Sequence, residues 1–159
     1  PAAIAYQSTV VPFSTPLTVN TTWTSLPSST LYTDAAATVE YETGDSATYR
    51  SLYADSAIFH DNGSDMTLDQ NVVLFNYFKS NNVTVKVEKV DPIWEIVNKE
   101  ASPNGITNYV MSFQHTVYKK GDKEVKVIVS VVNGMKDGKI VEECDLYNAK
   151  PMFDLMSQK

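Results

Sequence analysis

The chain reads as an α+β domain with an antiparallel sheet, and three features carry that reading. Up to about residue 80, apolar residues recur at helical spacing, while from Val83 onward the period shortens to two. The later alternating stretches are joined by Gly121-Asp122 and Asp137-Gly138, both hairpin turn types. Helices first and hairpin-linked strands after describe an α+β arrangement rather than an alternating α/β one. At 159 residues the chain has the length of one domain with a real core.

Three regions follow in order. Residues 1–30 form an uncharged arm rich in Ser, Thr and Pro, the first charged residue being Asp34. The arm also carries Ile4, Tyr6, Val10, Val11, Phe13, Leu17, Val19, Trp23 and Leu26, more apolar bulk than a disordered tail holds. It is expected to be extended and to lie across apolar surface, its own or a partner's. Residues 31–150 form the folded domain, and 151–159 a C-terminal tail. Within the domain, Tyr32, Ala35, Ala36 and Val39 predict a helix over Leu31–Thr43. Gly44 stops it, and Asp45 caps a short second helix running through Tyr53, with Tyr49, Leu52 and Tyr53 on its apolar side. Ala57–Asp61 reads as a strand ended by Asn62-Gly63. Thr67 and Gln70 form a capping box for a helix through about Ser80, with Leu68, Val72, Phe75 and Phe78 on one side. Val83–Val90 alternates, bends at Asp91-Pro92 and resumes over Ile93–Asn98. Strands at 106–119, 123–133 and 139–148 complete the sheet.

Composition removes several function classes. Net charge is −6 and no stripe of Lys and Arg occurs, which argues against nucleic-acid binding. No apolar run approaches the roughly 20 residues of a membrane span. The lone Cys144 excludes an internal disulfide and reads as a small buried hydrophobe. His60 and His115 lack ligand spacing, so no metal is expected. No phosphate-binding glycine loop or nucleophile elbow is present, and no cofactor is implied. Sequons at Asn20, Asn62 and Asn82 say little about secretion, since about two arise by chance in such a composition. The compartment stays open between cytoplasm and export after removal of an N-terminal segment.

The stretch from Gly44 to Asn62, GDSATYRSLYADSAIFHDN, and the ending DGKIVEECDLYN over 137–148 resemble the nuclear transport factor 2-like superfamily. That group includes ketosteroid isomerase, scytalone dehydratase and the SnoaL-like polyketide cyclases. The resemblance covers about residues 30–150 and implies a curved sheet wrapped around N-terminal helices, a cone enclosing a pocket. One such scaffold hosts many reactions. By that resemblance the concave face carries Tyr109, Met111, Phe113, His115 and Val117, then Ile128, Ser130 and Val132, then Val141, Glu143, Asp145 and Tyr147. Val125, Val127, Val129 and Val131 then face outward. Burying each would contribute ~1.5–3 kcal/mol, so a homodimer, or the arm, is expected over that face.

Asp61 aligns with the isomerase's catalytic base. In an apolar cavity its pKa would be raised by desolvation, which suits proton transfer. As a plainer alternative, it caps the turn that follows. His115 reads as a proton shuttle or a hydrogen-bonded filler, and His60 as outer-face packing. Glu143 and Asp145 sit two apart on one strand face, so they form either an acid/base pair in the pocket or a solvated pocket mouth. Tyr147 beside them donates a hydrogen bond or packs. Tyr41, Phe59, Trp94, Tyr109, Met111, Phe113 and Ser130 complete the expected ligand-binding set. The isomerase's two oxyanion donors fall on Ala37 and Ser130 here, which disfavours steroid isomerisation, each lost donor costing roughly 3 kcal/mol. Tyr41, one helical turn beyond Ala37, is a candidate substitute. The leading expectation is a pocket for a small, largely apolar molecule. The alternatives are a cofactor-free cyclase, dehydratase or isomerase using Asp61 and His115, and a non-catalytic interaction module.

Overall fold

A computed structural model of the chain describes residues 24–25 and 46–157. The expected helix over Leu31–Thr43, the Gly44 stop with its Asp45 cap, Tyr41, and the arm apart from 24–25 lie outside the described residues. The elements are β1 (Thr24–Ser25), α1 (Ser46–Leu52), β2 (Tyr53–Asp61), β3 (Ser64–Thr67), α2 (Leu68–Ser80), β4 (Val83–Val97), β5 (Asn108–Lys120), β6 (Lys123–Lys136), β7 (Lys139–Leu146) and α3 (Lys150–Met156). The strands form one curved, unclosed sheet in the order β1-β4-β5-β6-β7-β2-β3. Neighbours are antiparallel except β2 and β7, which run parallel.

Local chemistry explains most boundaries. Asn62 and Gly63, at φ 48° and 84°, make the both-positive turn that joins β2 to β3, a short strand the sequence reading did not include. Thr67 and Gln70 form the full reciprocal capping box that starts α2. Asp91-Pro92 interrupts β4 without ending it, and the register with β5 shifts there. Tyr53, expected at the end of a helix, is the first residue of β2. Residues 151–156, expected to trail as part of a tail, belong to α3. Pro151 sits in its first turn, and Met152 and Leu155 are buried.

The largest correction concerns which face of the sheet is inside. The Asp137-Gly138 turn pairs Lys136 with Lys139 and Met135 with Ile140. Continued without interruption, that register would set Ser130 opposite Asp145 and Val132 opposite Glu143. A bulge at Gly134/Met135 intervenes, so Asn133 faces Glu143 and Val131 faces Asp145. Strand side chains alternate, so a one-residue step exchanges the two faces. β5 follows β6 with no break in register and inherits the exchange.

Glu143, Asp145 and Tyr147 therefore point inward as expected, while Tyr109, Met111, Phe113, His115, Ile128, Ser130 and Val132 lie on the outer face. The valines proposed for a dimer are inside: Val127, Val129 and Val131 are 5%, 8% and 5% exposed, against 56% for Ile128. They pack with Phe78 of α2 and Met152 and Leu155 of α3, with Val125 at the margin. Helices of the same chain cover this face, so it offers no dimer interface. A second apolar cluster, Tyr49, Tyr53, Ala57, Phe59, Leu68, Val72 and Ile140, fastens α1 and α2 to β2 and β7.

Candidate functional site

The site forms where β2 and β7 end side by side. Their parallel register sets Phe59 beside Glu143 and Asp61 beside Asp145. Two further bonds lock the ends together: the Asn62 amide donates to the Asp145 carbonyl at 2.9 Å, and the Tyr147 amide donates to Asn62 Oδ1 at 3.1 Å. Asp61 is thus the last residue of β2, and the turn that follows it anchors the residue that contacts it. Tyr147 Oη donates to Asp61 Oδ2 at 3.1 Å. Asp61 Oδ1 is buried and has no hydrogen-bond partner among the described residues. Burial pushes the Asp61 carboxyl above the ordinary carboxylate range, and the bond from Tyr147 pulls part of that shift back. The Tyr147 hydroxyl is itself pushed up, by burial first and then by the Asp61 charge, so at neutral pH it remains a donor.

Deeper in the cone, Tyr53 Oη donates to Glu143 Oε2 at 2.7 Å. Glu143 is 9% exposed. Burial, and then the Glu143 charge, hold the Tyr53 hydroxyl protonated well above its ordinary value. The Tyr53 ring packs against Tyr49 and Phe59 at centroid distances of 4.7 and 5.0 Å. Tyr49 Oη donates to Asn71 Oδ1 at 3.3 Å, which brings α2 into the network. Burial likewise raises the Tyr118 hydroxyl, with the charges of Asp145 and Asp61 adding to it.

Two spaces meet at Asp61. A small inner cavity of about 50 Å³ is lined by Tyr53, Glu143, Asp145, Asn133, Thr116 and Tyr118 among others. An outer cleft of about 310 Å³ lies between α2 and α3, lined by Leu74, Tyr77, Phe78, Met152, Phe153, Met156 and Ser157. Asp61, Tyr147, Leu74, Phe78 and Met152 line both. The inner cavity has room for water; the cleft reaches the lower end of small-molecule sites.

Of the expected residues, Asp61, Glu143, Asp145 and Tyr147 come together. Phe59 is buried beneath Tyr53 as core. On the outer face, Trp94 pairs with Met111 and sets its ring edge-on to Phe113 at 5.9 Å, with Tyr109 and Ser130 on the same side. His115 pairs with Lys89 and Ile128 on that side, so the sheet separates it from Asp61 and the two cannot act as a pair. His60 is also outside, between Asp65 at 2.6 Å and Glu142 at 3.4 Å. The sequence reading missed Tyr53, Asn71, Leu74 and the α3 residues as parts of the site. Two signals pointed to them: a buried tyrosine needs a partner for its hydroxyl, and Met152, Phe153, Leu155 and Met156 follow Pro151 closely enough to start a helix. Among the described residues, no group of three or more His, Cys, Asp and Glu is placed to hold a metal, and no helix is long and apolar enough to cross a membrane.

By sequence, no family profile and no curated protein matches the chain. By structure, an NTF2-like protein from Anabaena variabilis superposes with a TM-score of 0.58 at 13% identity, over 73% of this chain and 84% of that one. The fold is that of the nuclear transport factor 2-like superfamily. An LEH-like epoxide hydrolase of M. tuberculosis shares this cone with a TM-score of 0.57 at 19% identity, over 78% of this chain and 86% of its own. So does IdmH of Streptomyces antibioticus, a proposed polyketide cyclase, with a TM-score of 0.56 at 14% identity, over 79% and 96%. The nuclear transport factor 2-like cone thus carries different chemistries, and what this chain does with it has to be argued from its own residues.

Proposed function

We propose that the chain binds a small, largely apolar molecule in the cleft between α2 and α3, with the molecule's polar end at Asp61. The observation that carries this reading is the cleft itself. Its walls are Leu74, Tyr77, Phe78, Met152, Phe153 and Met156, and its floor holds one carboxyl and one phenol that already bond each other. An apolar enclosure with a few convergent polar groups is the usual form of a ligand site. The test is saturable binding of a neutral apolar dye such as Nile red, compared with Leu74→Trp, which fills the cleft from α2. Binding that is lost in a folded Leu74→Trp protein supports the reading; binding that ignores the substitution, or no saturable binding, ends it.

A second reading, proton transfer on the bound molecule, is favoured by the raised pKa of Asp61 and by its bond to Tyr147. Asp61 would remove a proton next to a carbonyl or from a hydroxyl, and Tyr147 would hold the carboxylate in position. Positioned bases of this kind contribute about 10²–10⁴-fold. Loss of α-protons from phenylacetone in heavy water, followed by NMR, reports this step. Asp61→Asn should abolish it, and equal exchange in both proteins would rule the step out.

A further inference from the structure

We propose that the polar end of the ligand is a cationic amine seated on Asp61, an inference that rests on the binding reading above and adds the ligand's charge. The titratable groups lining the cleft and the inner cavity are Asp61, Glu143, Asp145 and tyrosines; no Lys, Arg or His lines either space among the described residues. Residues 1–49 contain Asp34, Glu40, Glu42 and Asp45 and no Lys or Arg. Arg50 itself is paired with Asp69 at 2.7 Å. Lys120, near the lip of the cleft, bonds the Met156 carbonyl at 3.1 Å.

Past Lys120 at the lip, the one charged side chain that lines the cleft among the described residues is Asp61. An anionic end would meet the Asp61 carboxyl, with Glu143 and Asp145 behind it on the inner cavity, and like charges brought together in a shielded space repel strongly. A purely apolar end would leave the buried Oδ1 as it stands, with no hydrogen-bond partner among the described residues to offset its desolvation. An ammonium end donates N–H to Oδ1 and brings a positive charge to a space that no described Lys, Arg or His lines. The rings of Tyr77, Phe78, Tyr147 and Phe153 also line the cleft, and aromatic faces attract cations.

The experiment compares three probes of one shape at neutral pH by calorimetry: phenethylamine, phenethyl alcohol and phenylacetate. The amine is expected to bind at least about tenfold tighter than the alcohol, as a charge-assisted hydrogen bond replaces a neutral one, and phenylacetate most weakly. Asp61→Asn should bring the amine down to the affinity of the alcohol. Because the ranking is measured on the unaltered protein, it decides the matter whether or not the variant folds. Alcohol or phenylacetate binding as tightly as the amine overturns the inference and leaves the cleft reading standing, as does an amine preference that survives Asp61→Asn. Failure of all three probes to bind overturns both.

Discussion

Asp61 is shielded from water by the walls that make the cleft, and this has a measurable consequence for the folded state. Its carboxyl pKa is raised on folding, chiefly by burial, so the native chain holds that proton more tightly than the unfolded one. The group's contribution to stability is greatest in acid, below the ordinary carboxylate pKa, and declines as pH rises from there through the raised value. Asp61→Asn keeps the shape and cannot ionise, so the variant should melt higher than the wild type at neutral pH and no higher in acid. A second measurement addresses Tyr147. Its bond lowers the Asp61 pKa, so Tyr147→Phe should move the Asp61 carboxyl further up in a carbon-detected NMR titration; a downward shift would show that the bond has been misread. These four inward residues, Asp61, Glu143, Asp145 and Tyr147, were legible because they sit at the ends of two segments with recognisable motifs. The partner of Glu143 was not: Tyr53 lies far from it along the chain, and only the parallel pairing of β2 with β7 brings them to 2.7 Å.

At the scale of the element, the turns, the capping box and the hairpin order could be read from local chemistry, and the orientation of β5 and β6 could not. Alternation says that a strand has two faces; it does not say which one is buried when both carry apolar residues, as Tyr109, Met111 and Phe113 do against Val110 and Tyr118. The missing information was the bulge on β7, where Val141 is left over between the Gly134–Glu142 and Met135–Ile140 pairs, and the lone glycine inside β6 opposite it is the sequence signal. That glycine is required by space. A Cβ there would lie 2.8 Å from Ile106 Cδ1 and 3.3 Å from Tyr109 Cε1, and Ile106 is fully buried with little room to move. Gly134→Ala should cost about 1–3 kcal/mol by denaturant unfolding. Thr67→Ala, which removes the cap of α2, should cost about 1 kcal/mol.

For the molecule as a whole, the inverted faces make a sharp contrast between two adjacent positions on β6. Val129→Asp would bury a charge against Phe78, Met152 and Leu155 and should prevent folding. Ile128→Asp, one residue away on the outer surface, should change stability by no more than about 0.5 kcal/mol. Circular dichroism on the two variants decides the orientation, and the opposite ranking would restore the outward valines. The parallel seam between β2 and β7 has a consequence for how the protein is made. A ribosome releases β2, its turn and α2 well before β7 exists, so Asp61 must wait at an open strand edge until β7 emerges. Chains that stall before Asp145 expose that edge, which invites pairing with other chains. The binding floor is therefore finished only once β7 has been made and laid beside β2.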